Sequence, residues 1–464
     1  MSFAFSRRQM LQTVSAGFGF AAFAGLATEL AAEDAGYQNP LAPKAPHFQP
    51  RAKRVIMLSM RGGPSHVDTF DFKPQLTKDD GKASSVGKNN AANGNGRKLL
   101  GSPWKFKACG ESGLMISELF PELSKHADDL CLLNSLQTDV PNHPQAFLML
   151  HTGEFRFNRP SVGSWVLYGL GSENRDLPGF ITISPPERFG GSQNFGSCFL
   201  PAIYQGTAIG ASGRPVVQAR VGNVSSDHLP KKVQRDQIDL VQEMNRDLLT
   251  KQSVNPELEG AIESLELGFR MQDALPTVLD LNKESAATLE MYGIGKQRDD
   301  FARQCLMARR LAESGVRFVE VCHEGWDQHN GLKANLTRNC GDIDRPIAAL
   351  LADLKQRGML KDTLVVWGGE FGRTPHAQNT DGRDHNSTGF SMWVAGGGTK
   401  GGQRYGATDP HGIAAVEDKM HHHDLHATML HLLGLDHTKL TYRHAGRDFR
   451  LTNVYGTVAE KIIA

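Results

Sequence analysis

The strongest constraint on the fold of this chain is a short apolar run, Thr363-Leu-Val-Val-Trp367, that leads into Gly-Gly-Glu370-Phe-Gly-Arg373. A continuous apolar run of this length, stopped by glycines, suits a strand buried on both faces, as in a parallel sheet covered by helices. Two other runs share the pattern. Arg54 to Met60 leads into Arg61-Gly62-Gly63-Pro64-Ser65-His66-Val67-Asp68, and Val316 to Val321 leads into Cys322-His323-Glu324-Gly325-Trp326-Asp327-Gln328-His329. Between the strands at Val316 and Thr363, Leu332 to Gly358 reads as a long amphipathic helix. Ile343, Ile347, Leu350, Leu351 and Leu354 mark its inner face, and Gly358 marks its stop. Strand and helix alternating in this way predict an α/β fold, a mostly parallel sheet with helices on both faces.

The rest of the chain divides around that core. Leu130-Cys-Leu-Leu133, Gly179 to Ile183 and Phe390 to Val394 are further strand candidates, while Ile116 to His126, Pro144 to His151 and Asp299 to Ser314 read as helices. Lys78 to Gly110, rich in Gly, Asn, Lys and Ser, reads as a long exposed loop. Residues 185–295 read as an insertion or cap, helical from Asp236 to Gln272 with Leu240, Met244 and Leu248 four apart.

The N-terminus predicts export. Ser6-Arg7-Arg8-Gln9-Met10-Leu11 precedes an uncharged run from Val14 to Leu26, with Ala31 and Ala32 as a loose cleavage region, so residues 1–32 resemble a twin-arginine (Tat) signal peptide. The remainder, 33–464, is expected to be one exported domain, periplasmic or extracellular, with no stable membrane span. With 51 basic and 50 acidic residues the net charge is +1, which gives no electrostatic footprint for nucleic acid. Six cysteines show neither CxxC nor zinc-ribbon spacing, and Cys322 reads as a buried structural thiol.

In an open parallel sheet, ligands bind outside the carboxyl ends of the strands, and here those ends carry the chemistry. Asp327 and His329, two apart, point the same way in an extended segment. Carboxylate with imidazole is a ligand pair for a divalent metal, zinc or manganese. Of the adjacent Asp384 and His385, His385 is the candidate ligand and Asp384 its supporting partner. Glu370 flanks this trio. The run His421-His422-His423-Asp424-Leu425-His426 reads instead as a helix start capped by Asp424, its imidazoles exposed or lining the first turn.

The order Asp-x-His, long helix, apolar strand ending in an acid, then a loop with a single His before another strand resembles the metal half of the alkaline phosphatase superfamily, which includes the sulfatases. The glycine loop Gly396 to Gly402, followed by Asp424-Leu-His-Ala-Thr428 and a Leu-rich stretch, resembles the C-terminal pattern of sulfatases. A closer resemblance rests on Gly62-Gly63-Pro64-Ser65, Asp71-Phe-Lys-Pro74, His151-Thr-Gly153, Gly369-Glu-Phe-Gly-Arg-Thr-Pro375 and Arg383-Asp-His-Asn386. With the twin-Arg leader, these look like the exported domain-of-unknown-function family numbered 1501.

The resemblance implies an alkaline-phosphatase-like core, and it also has departures. The strand that usually ends Asp-His-Gly ends Glu370-Phe371-Gly372, so a second-metal His is replaced by a residue that cannot ligate. The first-strand Asp of that second site is replaced within Arg61 to His66, which makes His66 a candidate ligand. Alignment on Leu148 to Gly153 puts Asn142 or His143 where the superfamily has its nucleophile, and no Cys-x-Pro-x-Arg sulfatase motif occurs. His143 could ligate, attack, or act as acid or base. Arg61, Arg373 and Arg156 could clamp an anion, and for Arg373 a structural salt bridge with Glu370 is the other reading. Two functions are compatible with these residues. One is a metal-dependent hydrolase of a phosphate or sulfate ester, on a small molecule or a glycan. The other is a non-catalytic binding or assembly protein with a degenerate site.

Overall fold

A computed structural model describes residues 39–84, 97–219, 229–251 and 255–464; the leader lies outside them. Its centre is a nine-stranded sheet. The strands of this sheet and of an adjoining hairpin are β1 (Arg54–Met60), β2 (Leu130–Gln137), β3 (Phe180–Ile183), β4 (Thr207–Ile209), β5 (Phe318–His323), β6 (Thr363–Gly368), β7 (Gly372–Gln378), β8 (Gly382–Asn386), β9 (Phe390–Ala395), β10 (Gln403–Tyr405) and β11 (Met420–His421). The sheet order is β10-β2-β9-β6-β1-β5-β3-β4, with β11 also pairing β2. β1 is parallel to both β5 and β6, and β9 runs antiparallel to its neighbours β2 and β6. β7 and β8 form the separate hairpin.

Alternation along β1 explains the two layers. Ile56, Leu58 and Met60 face one core, with the helices Asp300–Glu313 and Leu332–Gln356, whereas Val55 and Met57 face the other, with His143–Thr152, Val162–Leu170 and His422–Leu432. Both faces are covered, as a continuous apolar strand requires. The register aligns Ser59 with Cys322 and with Gly368, so β1, β5 and β6 end together and their polar continuations converge. A row of indoles braces that end: Trp367 stacks on Trp393 at 6.0 Å, and Trp326 meets Trp367 edge-on at 6.3 Å.

Three local readings change. Ile116 to His126 is not one helix. Leu114–Ser117 pairs with Phe106–Cys109 as a hairpin, and a 3-10 turn covers Leu123–Asp129. Pro121 stands at the break, and the residue before a proline is pushed out of the helical region. The same hairpin gives the long loop Lys78 to Gly110 a strand near its end, while residues 85–96 of it lie outside the described residues.

The third change concerns Asp236 to Gln272, which is two helices, Lys231–Lys251 and Pro256–Leu279. On the first of them Leu240, Met244 and Leu248 face outward, while Gln242 is buried and donates to the Ile262 carbonyl at 2.7 Å. Arg235 grips Glu266 with two bonds of 2.9 and 2.8 Å in the same seam. Polar pairs contribute to the seam between these two helices.

Candidate metal centre

The turn after β1 organises the site. Gly62 has φ +115°, and a Cβ there would meet the Asp327 nitrogen at 2.5 Å, so only glycine lets the two segments approach. Glu370, fully buried after β6, accepts the Gly62 N–H at 3.0 and 3.2 Å. Arg373, also fully buried, donates to the carbonyls of Gly62 and of Gly63, the latter at 3.0 Å. The Gly369 to Arg373 motif thus clamps the Gly62-Gly63 turn by its own backbone groups. Each clamp residue then reaches a second group: Glu370 takes His143 Nδ1 at 2.6 Å, and Arg373 donates to Asp327 Oδ1 at 2.7 Å.

Four side chains meet beyond the clamp. The candidate ligand atoms of His143, Asp327, His329 and His385 all lie within 4.8 Å of one another. Asp327 Oδ1 is 3.1 Å from His143 Nε2, 2.9 Å from His329 Nε2 and 3.3 Å from His385 Nε2, and the last two nitrogens are 2.9 Å apart. His143 begins the helix His143–Thr152. Asp327 follows the buried Trp326, whose indole N–H bonds His323 Nδ1 at 3.0 Å. His385 lies on β8, anchored by its neighbour Arg383, which makes a fully buried two-bond pair with Asp68 at 2.7 and 3.0 Å.

The donor set fits a cation. Each imidazole has its other nitrogen engaged: His143 Nδ1 on the Glu370 carboxylate, His329 Nδ1 on the Gln378 amide oxygen, and His385 Nδ1 on the Pro141 carbonyl at 2.7 Å. A carbonyl or carboxylate only accepts, so the ring proton sits on Nδ1 and the Nε2 lone pair points inward. Three lone pairs and a carboxylate oxygen facing one another repel, unless a cation or extra protons stand among them. Without a cation, a proton on the buried His143 Nε2 takes that place and bonds Asp327 Oδ1, 3.1 Å away. Such outer partners are what orients metal-binding histidines.

Burial alone would raise the Asp327 pKa, but bonds from His143 and His385 and the Arg373 charge hold its carboxyl well below the usual range. Burial likewise opposes charge on His143, yet Asp327 and Glu370 more than offset it, and its pKa is raised. Replacing Glu370 by Gln, which keeps the shape and removes the charge behind His143, is expected to weaken divalent-metal affinity by roughly 10- to 100-fold, as titration calorimetry on the stripped protein would measure.

The remaining candidates lie elsewhere. Glu370, expected beside the ligands, stands behind His143 as its acceptor. His66 is buried away from the cluster, with Nε2 on the Gly412 carbonyl at 2.8 Å. Arg373 pairs with Asp327, not with Glu370 as a salt bridge, and its guanidinium is spent on the turn. Arg61 is paired with Glu324 and lies over the Phe189 ring at 5.0 Å. Arg156 lies over Phe155 and touches none of the four. Asp384 binds Arg97 at 2.7 Å and caps the His385 N–H. Phe371 packs at 4.7 Å against the rings of both His143 and His385, filling space with an aromatic wall. Asp424 does cap its helix, accepting the His421 N–H at 2.8 Å. Of the two expectations for the imidazoles, exposure fails for His422, His423 and His426, which are buried, while His422 and His423 do line the first turn; burial pushes His426 down to about 4. Gln378 and Pro141 escape a reading of the sequence, because nothing in a glutamine or a proline carbonyl signals such a role.

The family described as "protein of unknown function (DUF1501)" matches residues 52–463. The chain belongs to the DUF1501 family. Among curated proteins nothing matches. This DUF1501 chain is similar to several solved structures. One is the lipoteichoic acid synthase LtaP from Listeria monocytogenes, at 9% identity and TM-score 0.38, covering 92% of this chain and 81% of that one. Another is the PsFucS1 sulfatase from Pseudoalteromonas sp., at 13% identity and TM-score 0.35, covering 88% and 72%. A third is a protein in the alkaline phosphatase superfamily from Vibrio parahaemolyticus, at 10% identity and TM-score 0.36, covering 88% and 73%.

Proposed function

We propose that this DUF1501 protein is an exported metal-dependent hydrolase of a phosphate or sulfate ester, with the metal held by His143, Asp327, His329 and His385. The observation that carries this reading is the convergence of three Nδ1-anchored imidazoles on one carboxylate oxygen. The twin-Arg leader supports export, and among the described residues no helix is long and apolar enough to cross a membrane. A bound divalent metal would supply a polarised ester oxygen and a water of lowered pKa.

The chain's own residues do the rest. Glu370 and Gln378 keep the Nε2 atoms of His143 and His329 directed inward. Arg373 holds Asp327 in its ionised form from the buried side, while the Asp327 carboxylate is 45% exposed and opens the cluster to solvent. Arg61, on the turn beside Asp327, is the guanidinium placed to meet an anionic ester oxygen once it leaves Glu324. The resemblance puts Asn142 or His143 where the superfamily has its nucleophile; with His143 holding the metal in this reading, attack falls to water.

One physical detail favours the second reading under one condition. Four protein ligands complete a tetrahedral zinc and leave no open position, which is the pattern of a structural site, whereas manganese takes further ligands. A metal-stripped protein reloaded with manganese or zinc and offered a panel of phosphate and sulfate esters separates the cases. Hydrolysis that chelator abolishes and manganese restores supports the hydrolase. Tight metal binding with no turnover of any ester would leave the non-catalytic binding protein.

A further inference from the structure

The segment that leaves β3 passes beside the metal cluster in a backbone form that its residues do not favour. Ser184, Phe189, Gly190 and Gly191 have φ of +53°, +59°, +96° and +53°. Glycine adopts the left-handed region freely. For a side chain as bulky as phenylalanine it is an outlier that the surrounding structure must enforce. Asn194, 2% exposed, donates its amide to the Phe189 carbonyl at 2.9 Å. A Cβ on Gly190 would come within 2.7 Å of Asn194 Oδ1 and 2.9 Å of Leu148 Cδ2, so the segment is pressed onto the helix His143–Thr152.

What this conformation achieves is the position of one ring. The Phe189 centroid lies 5.0 Å from the Arg61 guanidinium carbon and 5.6 Å from the centre of the His143 ring, at an interplanar angle of 54°. One ring thus meets both a candidate metal ligand and the cation beside the cluster. Burial does not explain the strain. Phe371, which also packs on His143, is fully buried, whereas Phe189 is only half-buried and gains correspondingly less from leaving water.

The two partners of Arg61 differ in kind. Glu324 neutralises its charge and must release it before an anion can bind. An aromatic face attracts a guanidinium without neutralising it, so the Phe189 contact can persist with an anion in the place of Glu324. Phe189 is the fixed half of a seat in which Arg61 changes partner. Without the ring, a released Arg61 would have the freedom of a long side chain, and ordering it again would weaken binding.

We propose that Phe189 is a positioning residue for anion binding: its ring holds the Arg61 guanidinium beside the metal cluster while an anionic oxygen of the substrate exchanges for Glu324. That the oxygen belongs to an ester rests on the hydrolase reading; the anion seat does not. Titration calorimetry of the manganese-loaded full chain with inorganic sulfate and phosphate tests it. Phe189→Gly, which takes the left-handed backbone without strain, is expected to keep the parent's metal content and to bind the anion about fivefold more weakly, the scale of one cation–π contact. Phe189→Tyr should bind like the parent. Arg61→Ala should lose at least as much as Phe189→Gly, and combining the two should change nothing further, because the ring acts through the guanidinium.

Parental anion affinity in Phe189→Gly, with or without a lowered melting temperature, would show packing alone and overturn the proposal. A further loss in the double variant would overturn it as well. Should Phe189→Gly fail to fold, Phe189→Leu, which keeps the bulk and lacks the aromatic face, decides in its place. A parent that binds neither anion would overturn the seat and count against the hydrolase reading together. Phe189-dependent anion binding without turnover of any ester upholds the seat and counts against the hydrolase. Ester turnover with an anion affinity indifferent to Phe189 does the reverse.

Discussion

Asp327→Ala protein is expected to emerge from purification without stoichiometric divalent metal, in contrast to the parent, when both are assayed by inductively coupled plasma mass spectrometry. Asp327 supplies the oxygen on which His143, His329 and His385 converge. It is also the partner of the buried Arg373. Removing it takes one ligand from the set and leaves Arg373 facing the three imidazoles, so a cation meets a cation where it formerly met an anion. Loss of about 100-fold or more in affinity is the expected scale, above that of losing an outer partner. The parent should also lose metal as the pH falls. His143 keeps a proton to higher pH than an ordinary histidine in this setting, and a protonated imidazole cannot ligate. Equal stoichiometric metal in both proteins would show that Asp327 is not a ligand, and metal in neither would show that protons alone hold the cluster together.

Asp68→Ala is expected to destabilise the protein by about 3–5 kcal/mol, read as a lowered urea midpoint, because it leaves the Arg383 guanidinium buried and uncompensated. Both partners are fully buried, and Ser65 Oγ also donates to Asp68 at 2.6 Å. The effect should reach the metal cluster, since Arg383 and His385 share β8. A variant with parental stability would mean that water or another acceptor replaces the carboxylate at Arg383.

Much of the fold and part of the cluster are legible in the residues alone, and the reason is local. Apolar runs bounded by glycine announce buried strands, and acid and imidazole residues just past their ends announce where ligands gather. That logic brings Asp327, His329 and His385 to one place. It fails wherever the partner is distant in the chain. Arg373 could be imagined as an anion clamp because nothing near it in sequence shows the Gly62 and Gly63 carbonyls it serves. Glu370 suggests a ligand because its partner His143 lies 227 residues away in the chain. The outward-facing Leu240, Met244 and Leu248 mislead for a related reason: periodicity marks a stripe but not the direction it faces.

None of the six cysteines is paired. The cluster takes His143, Asp327 and His385 from widely separated segments, so a metal seated there would join them as a covalent cross-link would. Such a tie restricts the unfolded chain most when the loops it closes are long. Metal supply would then set the lifetime of the folded protein, quite apart from any reaction at the site.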